Sequence, residues 1–348
     1  MNKNSNMIDT GIGFGIIGCG AIADRHAKHI IEHKEATLVS VFDNKTEKAN
    51  QLATKHKVQA VTSLKELLDN KTIDIVSVCT PNGIHHQCAL EVLNAGKHVI
   101  VEKPMALKRE HCEEMIEAAL KNNRQLFVVK QNRFNPPIQA VKKLMDENKL
   151  GKIYAVMVNC FWNRNEKYYK NSDWKGSQEL DGGTLFTQFS HFVDIFYYLF
   201  GDIQNIQGVL KNCSHQGMIE FEDSGCFTFT FSKSGALGSF NYTTSSYEQN
   251  MEGSITIFAE NATIKVGGQY LNAMDYQKTN GFDIVDLPVS NTENDYGFYK
   301  GSMSNHDKMI SNVIDTLKGR GAMMTNAVEG MKVVNIIETM YKQAQWSR

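Results

Sequence analysis

The sequence has almost no net charge, no long apolar run and no cysteine framework, and each absence removes a class of function. With 37 Lys and Arg against 38 Asp and Glu, the formal charge is −1. That leaves no electrostatic footprint for nucleic acid or for an anionic membrane surface. No stretch approaches the roughly 18 consecutive apolar residues that suggest a membrane-spanning helix. The opening segment, Met1 to Thr10, has no apolar core and no cleavage site, so it does not read as a signal peptide. The seven cysteines are Cys19, Cys79, Cys88, Cys112, Cys160, Cys213 and Cys226, an odd number without metal-ligand or disulfide spacing. They read as reduced thiols of a cytoplasmic protein with no metal centre, where the glycosylation-type triplets at Asn241 and Asn261 carry no meaning. Internal repeats and low-complexity segments are also missing.

What is present is ordinary globular composition, 42% hydrophobic and 22% charged, in 348 residues. That length exceeds a single core and divides here into two domains, 1–133 and 134–348. In the first, short apolar strands alternate with helices: strands at Phe14–Ile17, Thr37–Phe42, Val58–Val61, Ile73–Cys79, Val99–Val101 and Gln125–Lys130, helices between them. Alternation with short connections predicts an α/β, doubly wound parallel sheet. Gly18-Cys-Gly20-Ala21-Ile22-Ala23 follows the first strand and opens a helix, the context in which G-x-G-x-x-A signals dinucleotide binding. Gly18 permits the tight turn, Gly20 admits the pyrophosphate, and the helix N-terminus offers free N–H groups. Asp43, at the end of the second strand, suits the adenosine ribose hydroxyls and repels a 2′-phosphate, which favours NAD over NADP.

Parallel sheets bind ligands at the carboxyl ends of their strands. Gly18, Gly20, Ala21, Ile22, Asp43, Thr80, Asn82, His85, Glu102, Lys103 and Gln131 fall at or just beyond those ends and are the candidate cofactor-binding residues. Among them Lys103 stands out, because Val99-Ile-Val-Glu-Lys-Pro104 is a buried-type strand stopped by proline.

The second half changes to period two, with strands at Lys152–Cys160, Cys226–Phe231, Ala236–Tyr242, Ser254–Phe258 and Thr263–Val266. Turn residues between them predict a large, mostly antiparallel sheet, and 272–299 reads as a polar, aperiodic excursion over it. Asp181-Gly-Gly183 precedes an apolar helix closed by Gly201, on which Thr187, His191 and Asp194 share one face. Polar groups on a buried helix are costly without partners or work. Oxidising an alcohol with NAD needs a group to take the hydroxyl proton. Histidine titrates near neutrality, whereas a lysine needs its pKa lowered by about three units, which burial and a nearby positive charge supply. Lys103 and His191 are thus both candidates for the catalytic base.

These residues resemble the glucose–fructose oxidoreductase/inositol dehydrogenase family, through Gly18-x-Gly20, Glu102-Lys-Pro104 and the paired-glycine helix carrying His191. The resemblance covers nearly the whole chain. It implies a Rossmann domain, an open-sheet domain whose exposed face makes a homo-oligomer (dimer or tetramer), and a Lys103–Pro104 peptide that can be cis. A narrower likeness is to the UDP-N-acetylglucosaminuronate 3-dehydrogenases of bacterial surface-polysaccharide synthesis. It rests on 127–137, Leu180-Asp-Gly-Gly183, Gln188, Ser190-His191 and Glu252-Gly-Ser-Ile255. Most relatives carry aspartate four residues before the histidine. Here that residue is Thr187, as in the uronate branch, which leaves the acid–base work to Lys103 and His191. The implied reaction is oxidation of the C3 hydroxyl of a UDP-uronate by NAD. Arg164, Tyr168, Lys175, Thr187, Gln188, His191 and Lys103 are the candidate substrate residues, with Arg164 or Lys175 on the carboxylate. Dehydrogenation or 3-keto reduction of another nucleotide sugar or a polyol is the alternative chemistry. A non-catalytic NAD- or sugar-binding regulator is the alternative class.

Overall fold

In the computed structural model, residues 11–297 and 299–347 are described. The opening segment read for a leader, 1–10, lies outside them. Six parallel strands form the first sheet: β1 (Ile12–Ile17), β2 (Ala36–Phe42), β3 (Gln59–Ala60), β4 (Ile75–Val78), β5 (His98–Val101) and β6 (Leu126–Val128). Their order, β3-β2-β1-β4-β5-β6, reverses direction between β1 and β4. Every pairing is parallel. Val99, Ile100 and Val101 are fully buried, because helices cover both faces of β5. Burial of each such side chain is worth about 1.5–3 kcal/mol, so Glu102 and Lys103 emerge from a rigid support. The peptide between Lys103 and Pro104 is cis.

The second sheet has eight strands: β7 (Ile153–Phe161), β8 (Ile203–Lys211), β9 (Ser224–Phe231), β10 (Leu237–Thr243), β11 (Glu252–Ala259), β12 (Ala262–Gly267), β13 (Ala273–Thr279) and, after the hairpin described next, β16 (Ala344–Trp346). It is mostly antiparallel, with parallel pairings of β7 with β10 and of β8 with β16. A separate hairpin joins β14 (Glu293–Asp295) and β15 (Lys300–Met303). One face of the large sheet packs its aromatic residues against the Ser190–Phe200 helix, with Phe196 tilted against Phe229 and edge-on to Phe240. Near the chain end, the His306–Leu317 helix returns to the first sheet, where Met309, Ile310, Val313 and Ile314 join one apolar cluster with Phe14, Ala27 and Ile30.

Two expectations need correction. The stretch 272–299 is not a plain excursion, since it contains β13 and β14. The edge strand β13 keeps Asp275 and Tyr276 exposed and buries none of its residues fully, so no apolar alternation marks it. The apolar helix after Gly183 is two helices, Thr184–Thr187 and Ser190–Phe200, broken at Gln188–Phe189. Strands β8 and β16 also went unread. In β8 the register shifts between Gln204 and Gln207, with Asn205 at a φ of +55°, and this bulge interrupts the period of two.

Candidate active site

The carboxyl ends of β1, β2, β4 and β5 open onto one cavity of about 770 Å³ that also reaches the second domain. All of the sequence-nominated residues line it: Gly18, Gly20, Ala21, Ile22, Asp43, Thr80, Asn82, His85, Glu102, Lys103 and Gln131 from the first domain. Arg164, Tyr168, Lys175, Thr187, Gln188 and His191 line it from the second. Such a crevice beside the switch point is where doubly wound sheets bind ligands.

The end near β1 fits a dinucleotide. Gly18 has a φ of +86°, and a Cβ there would lie 2.7 Å from the Cys79 backbone, so only glycine fits. A Cβ on Gly20 would meet nothing within 4 Å; its bare backbone faces open space. The helix beginning at Ala21 has no side-chain cap, leaving its first amides for an anion. Asp43 does not cap the following helix. Its carboxylate instead accepts the amides of Cys19 (2.7 Å) and Lys45 (2.8 Å), tying β2 to the glycine loop, and each oxygen keeps a lone pair. Gln131 donates to Ser302 Oγ at 3.0 Å, while its own Oε1 is buried beside the cavity without a partner among the described residues. An orphaned acceptor there suits an amide N–H such as the one nicotinamide carries.

His85 is placed differently from expectation in one respect: its ring nitrogens are already used. They lie 2.8 Å from the Pro104 carbonyl and 2.9 Å from the Thr80 carbonyl, so the ring braces the cavity wall on both sides of Lys103. Glu102 is likewise engaged. It bonds His26 Nε2 at 2.9 Å, approaches His306 Nε2 at 3.6 Å and accepts the Lys103 amide at 3.1 Å. Burial pushes its carboxyl up, but the two imidazoles win and hold it well below the usual range. One ring nitrogen or carboxylate oxygen from each of His26, Glu102 and His306 lies within 4.8 Å of the others; Glu102 is hydrogen-bonded to His26, while both His306 ring nitrogens are buried without a hydrogen-bond partner among the described residues.

At the centre, Lys103 Nζ donates to the Thr187 carbonyl at 2.6 Å. Burial, reinforced by the charges of Lys130 and Arg164, lowers its pKa to about 8 against the opposing pull of Glu102 and Asp181. His191 lies opposite, its Nε2 3.3 Å from Ser302 Oγ. Burial first, and then the Lys103 charge, hold it well below the usual histidine range, so it is neutral. Asp194, expected on the same face, turns away to bond Arg133 Nε and Nη2 at 2.9 and 2.6 Å. Thr187 brings no carboxylate of its own, yet its hydroxyl donates to Asp181, a buried acid six positions earlier.

The far end is cationic and aromatic. Arg164 is 2% exposed and, among the described residues, hydrogen-bonds neutral groups: Gln188 Oε1 at 2.8 Å, the Asn163 carbonyl at 2.6 Å and Asn250 Oδ1 at 3.2 Å. Its guanidinium lies 5.0 Å from the Trp162 ring and 5.3 Å from Tyr168. Lys175 Nζ sits 3.7 Å from the Tyr168 ring, and burial together with Arg164 lowers its pKa to about 8. Sequence reading missed Asn294, Tyr296, Tyr299 and Ser302 of the β14–β15 hairpin, which roof the cavity. The available signal was the aromatic pair within the polar stretch Asn294-Asp-Tyr-Gly297 to Tyr299.

A glycine-loop sheet end facing a lysine, a neutral histidine and a polar second domain defines a two-domain, dinucleotide-dependent oxidoreductase. Residues 12–130 match the family described as "Oxidoreductase family, NAD-binding Rossmann fold", and 138–265 match the "GFO/IDH/MocA C-terminal domain". The chain belongs to the GFO/IDH/MocA oxidoreductase family, with NAD as the cofactor of its Rossmann domain. Among solved structures it is similar to the WlbA dehydrogenase of Bordetella pertussis in complex with NADH and UDP-GlcNAcA, 34% identical over 96% of each chain with a TM-score of 0.85. The WlbA dehydrogenase of Chromobacterium violaceum, in complex with the same two molecules, is also 34% identical, over 97% of this chain and 94% of that one, with a TM-score of 0.85. D-glucoside 3-dehydrogenase of Escherichia coli is 25% identical over 98% of this chain and 97% of its own length.

Proposed function

We propose that this protein oxidises the C3 hydroxyl of UDP-N-acetylglucosaminuronic acid to the 3-keto sugar, making a precursor for a bacterial surface polysaccharide. The observation that carries this reading is the pair Arg164 and Lys175, one cation buried and one half-buried, whose hydrogen bonds and ring contacts among the described residues are to neutral groups, in the same cavity as Lys103. Against these two cations the neighbouring Asp181 sets one negative charge, and the positive charge left over calls for an anion. A sugar carboxylate answers that need, and it is the group that separates a uronate from an ordinary nucleotide sugar. The likeness to two dehydrogenases bound to NADH and UDP-GlcNAcA supports the same substrate.

Bound NAD supplies the hydride acceptor. Lys103, with its pKa near 8, takes the hydroxyl proton as C3 becomes a carbonyl. His191 is the weaker base of the two because its pKa is held so low; neutral, it fixes the hydroxyl by hydrogen bonding and is itself oriented by Ser302. Gln188, held between Arg164 and the Tyr168 hydroxyl, keeps the carboxylate end rigid. The seven cysteines, all free thiols here, suit a cytoplasmic reaction. Among the described residues no helix is long and apolar enough to cross a membrane.

The test is a single-turnover measurement of reduced nicotinamide absorbance with UDP-N-acetylglucosaminuronate, UDP-N-acetylglucosamine and inositol in parallel. Reduction with the uronate alone is the expected result. Reduction with either of the uncharged-sugar compounds and none with the uronate would overturn the assignment.

A further inference from the structure

Asp181 is a buried carboxylate, 1% exposed, with no place in the chemistry described so far. One oxygen accepts the Gly176 amide at 2.8 Å and the other accepts the Thr187 hydroxyl. Asn82 Nδ2 closes the arrangement, donating to Thr187 Oγ1 at 2.7 Å and to the Asp181 carbonyl at 2.9 Å. Thr187 is thus pinned by its hydroxyl on one side while its carbonyl receives the Lys103 amine at 2.6 Å on the other. The Gly182–Gly183 turn, at φ of +89° and +124°, folds the chain back so that a residue six positions upstream stands behind Thr187.

We propose that Asp181 is a positioning residue for Lys103: through Thr187 its carboxylate fixes the carbonyl that holds the amine, and its negative charge stabilises the ammonium form. This rests on the reading of Lys103 as the proton acceptor. Two anions, Glu102 and Asp181, favour the Lys103 ammonium, and two cations, Lys130 and Arg164, disfavour it. His191, across from it, is neutral. Around Asp181 itself stand Lys175 and Lys103, which favour its charge, and the hydroxyls of Tyr168 and Tyr169, whose ionisation it opposes. Burial raises the Asp181 pKa to about 6, still below that of Lys103 at about 8, so the carboxylate is charged wherever the lysine titrates.

The experiment is competitive labelling of amines by trace acetic anhydride across pH, read by mass spectrometry on the peptide containing Lys103, in the full-length protein. The wild-type midpoint is expected near 8. In Asp181→Asn, losing the anion destabilises the ammonium, so the midpoint should fall by about one pH unit. Asp181→Glu, which keeps the charge, should bring it back toward wild type. An unchanged or raised midpoint in folded Asp181→Asn overturns the proposal. If that variant fails to fold, Thr187→Val decides: without the hydroxyl that Asp181 holds, the Thr187 carbonyl is no longer fixed against the amine, so the hydrogen bond that favours the ammonium weakens and the midpoint must again fall; a wild-type midpoint overturns the proposal. Labelling needs neither sugar nor turnover. A protein inactive on the uronate that still shows the shift would therefore refute the substrate and uphold Asp181.

Discussion

Lys103 donates from its amine to the Thr187 carbonyl at 2.6 Å, and this bond joins the end of β5 in the cofactor domain to the short helix that leads into His191. The proposed proton acceptor and the carbonyl that holds it therefore come from a strand end and a helix 84 positions apart in the chain. Replacing Lys103 with methionine keeps length and removes the amine. NAD affinity, measured by fluorescence titration, should stay near wild type, because the glycine loop and Asp43 are untouched. The single-turnover rate should fall by about 10²–10⁴-fold, the usual worth of a positioned base. A rate within threefold of wild type would remove Lys103 from the mechanism.

If Lys103 is the base, it sets the pH dependence. A base works in its deprotonated form, and with a pKa of about 8 about one-tenth of Lys103 is free amine at pH 7 and about nine-tenths at pH 9. The oxidation rate at saturating NAD should therefore climb roughly tenfold over that interval and level off. A profile that instead levels off below pH 7 would assign the base to a group titrating lower than Lys103.

Much of this geometry was legible beforehand because it follows from chain direction. β-Branched residues ending at a proline mark Val99–Pro104, and parallel strands deliver their carboxyl ends to one side, so Gly18, Asp43, Thr80 and Glu102 had to gather. What stayed hidden depends on side chains meeting from distant segments. Nothing local marks His306 as a neighbour of Glu102, and nothing in the spacing of Asp181 and Thr187 shows that positive φ at Gly182 and Gly183 will fold one onto the other. The β14–β15 hairpin escaped because strands of three and four residues, whose buried positions include the polar Asn294 and Ser302, are too short and too polar to show a period.

Lys175 provides a separable test of the proposed carboxylate subsite, since it lines the cavity with its amine over the Tyr168 and Tyr299 rings. Lys175→Met should raise KM for the uronate by about 10–100-fold, the worth of a charge-assisted hydrogen bond of about 1.5–3 kcal/mol. Binding of UDP-N-acetylglucosamine, which lacks the carboxylate, should change by less than about threefold. Equal losses for both would place Lys175 elsewhere than on the carboxylate.

Asp194 tests structure rather than chemistry. It is 2% exposed and pairs with Arg133 and, at 3.4 Å, with Lys130. Burial alone would raise its pKa, but the Arg133 and Lys130 charges hold it below the usual aspartate value. Asp194→Asn takes the carboxylate from buried Lys130 and leaves Arg133 with Glu329, a loss of about 3 kcal/mol. Urea unfolding should show that decrease in midpoint at unchanged slope, with the Lys103 labelling midpoint near wild type.

The uncovered face of the second sheet carries the last prediction. On that face Leu237 of β10 is in register with Ala155 of β7, which is in register with Phe258 of β11, so three apolar residues form a row across adjacent strands. Leu237 and Phe258 are 61% and 40% exposed in the single chain. An apolar row on a broad sheet is stabilised when a second copy covers it, and the resulting C2 contact places each row against its symmetry mate. We therefore expect a homo-oligomer, and we expect Leu237→Glu to dissociate it, because like charges would face each other at the axis with no water to solvate them. Light scattering on the purified protein reads both states. If wild type is a monomer, or if Leu237→Glu and Phe258→Glu both keep the wild-type mass, the sheet face is not the interface.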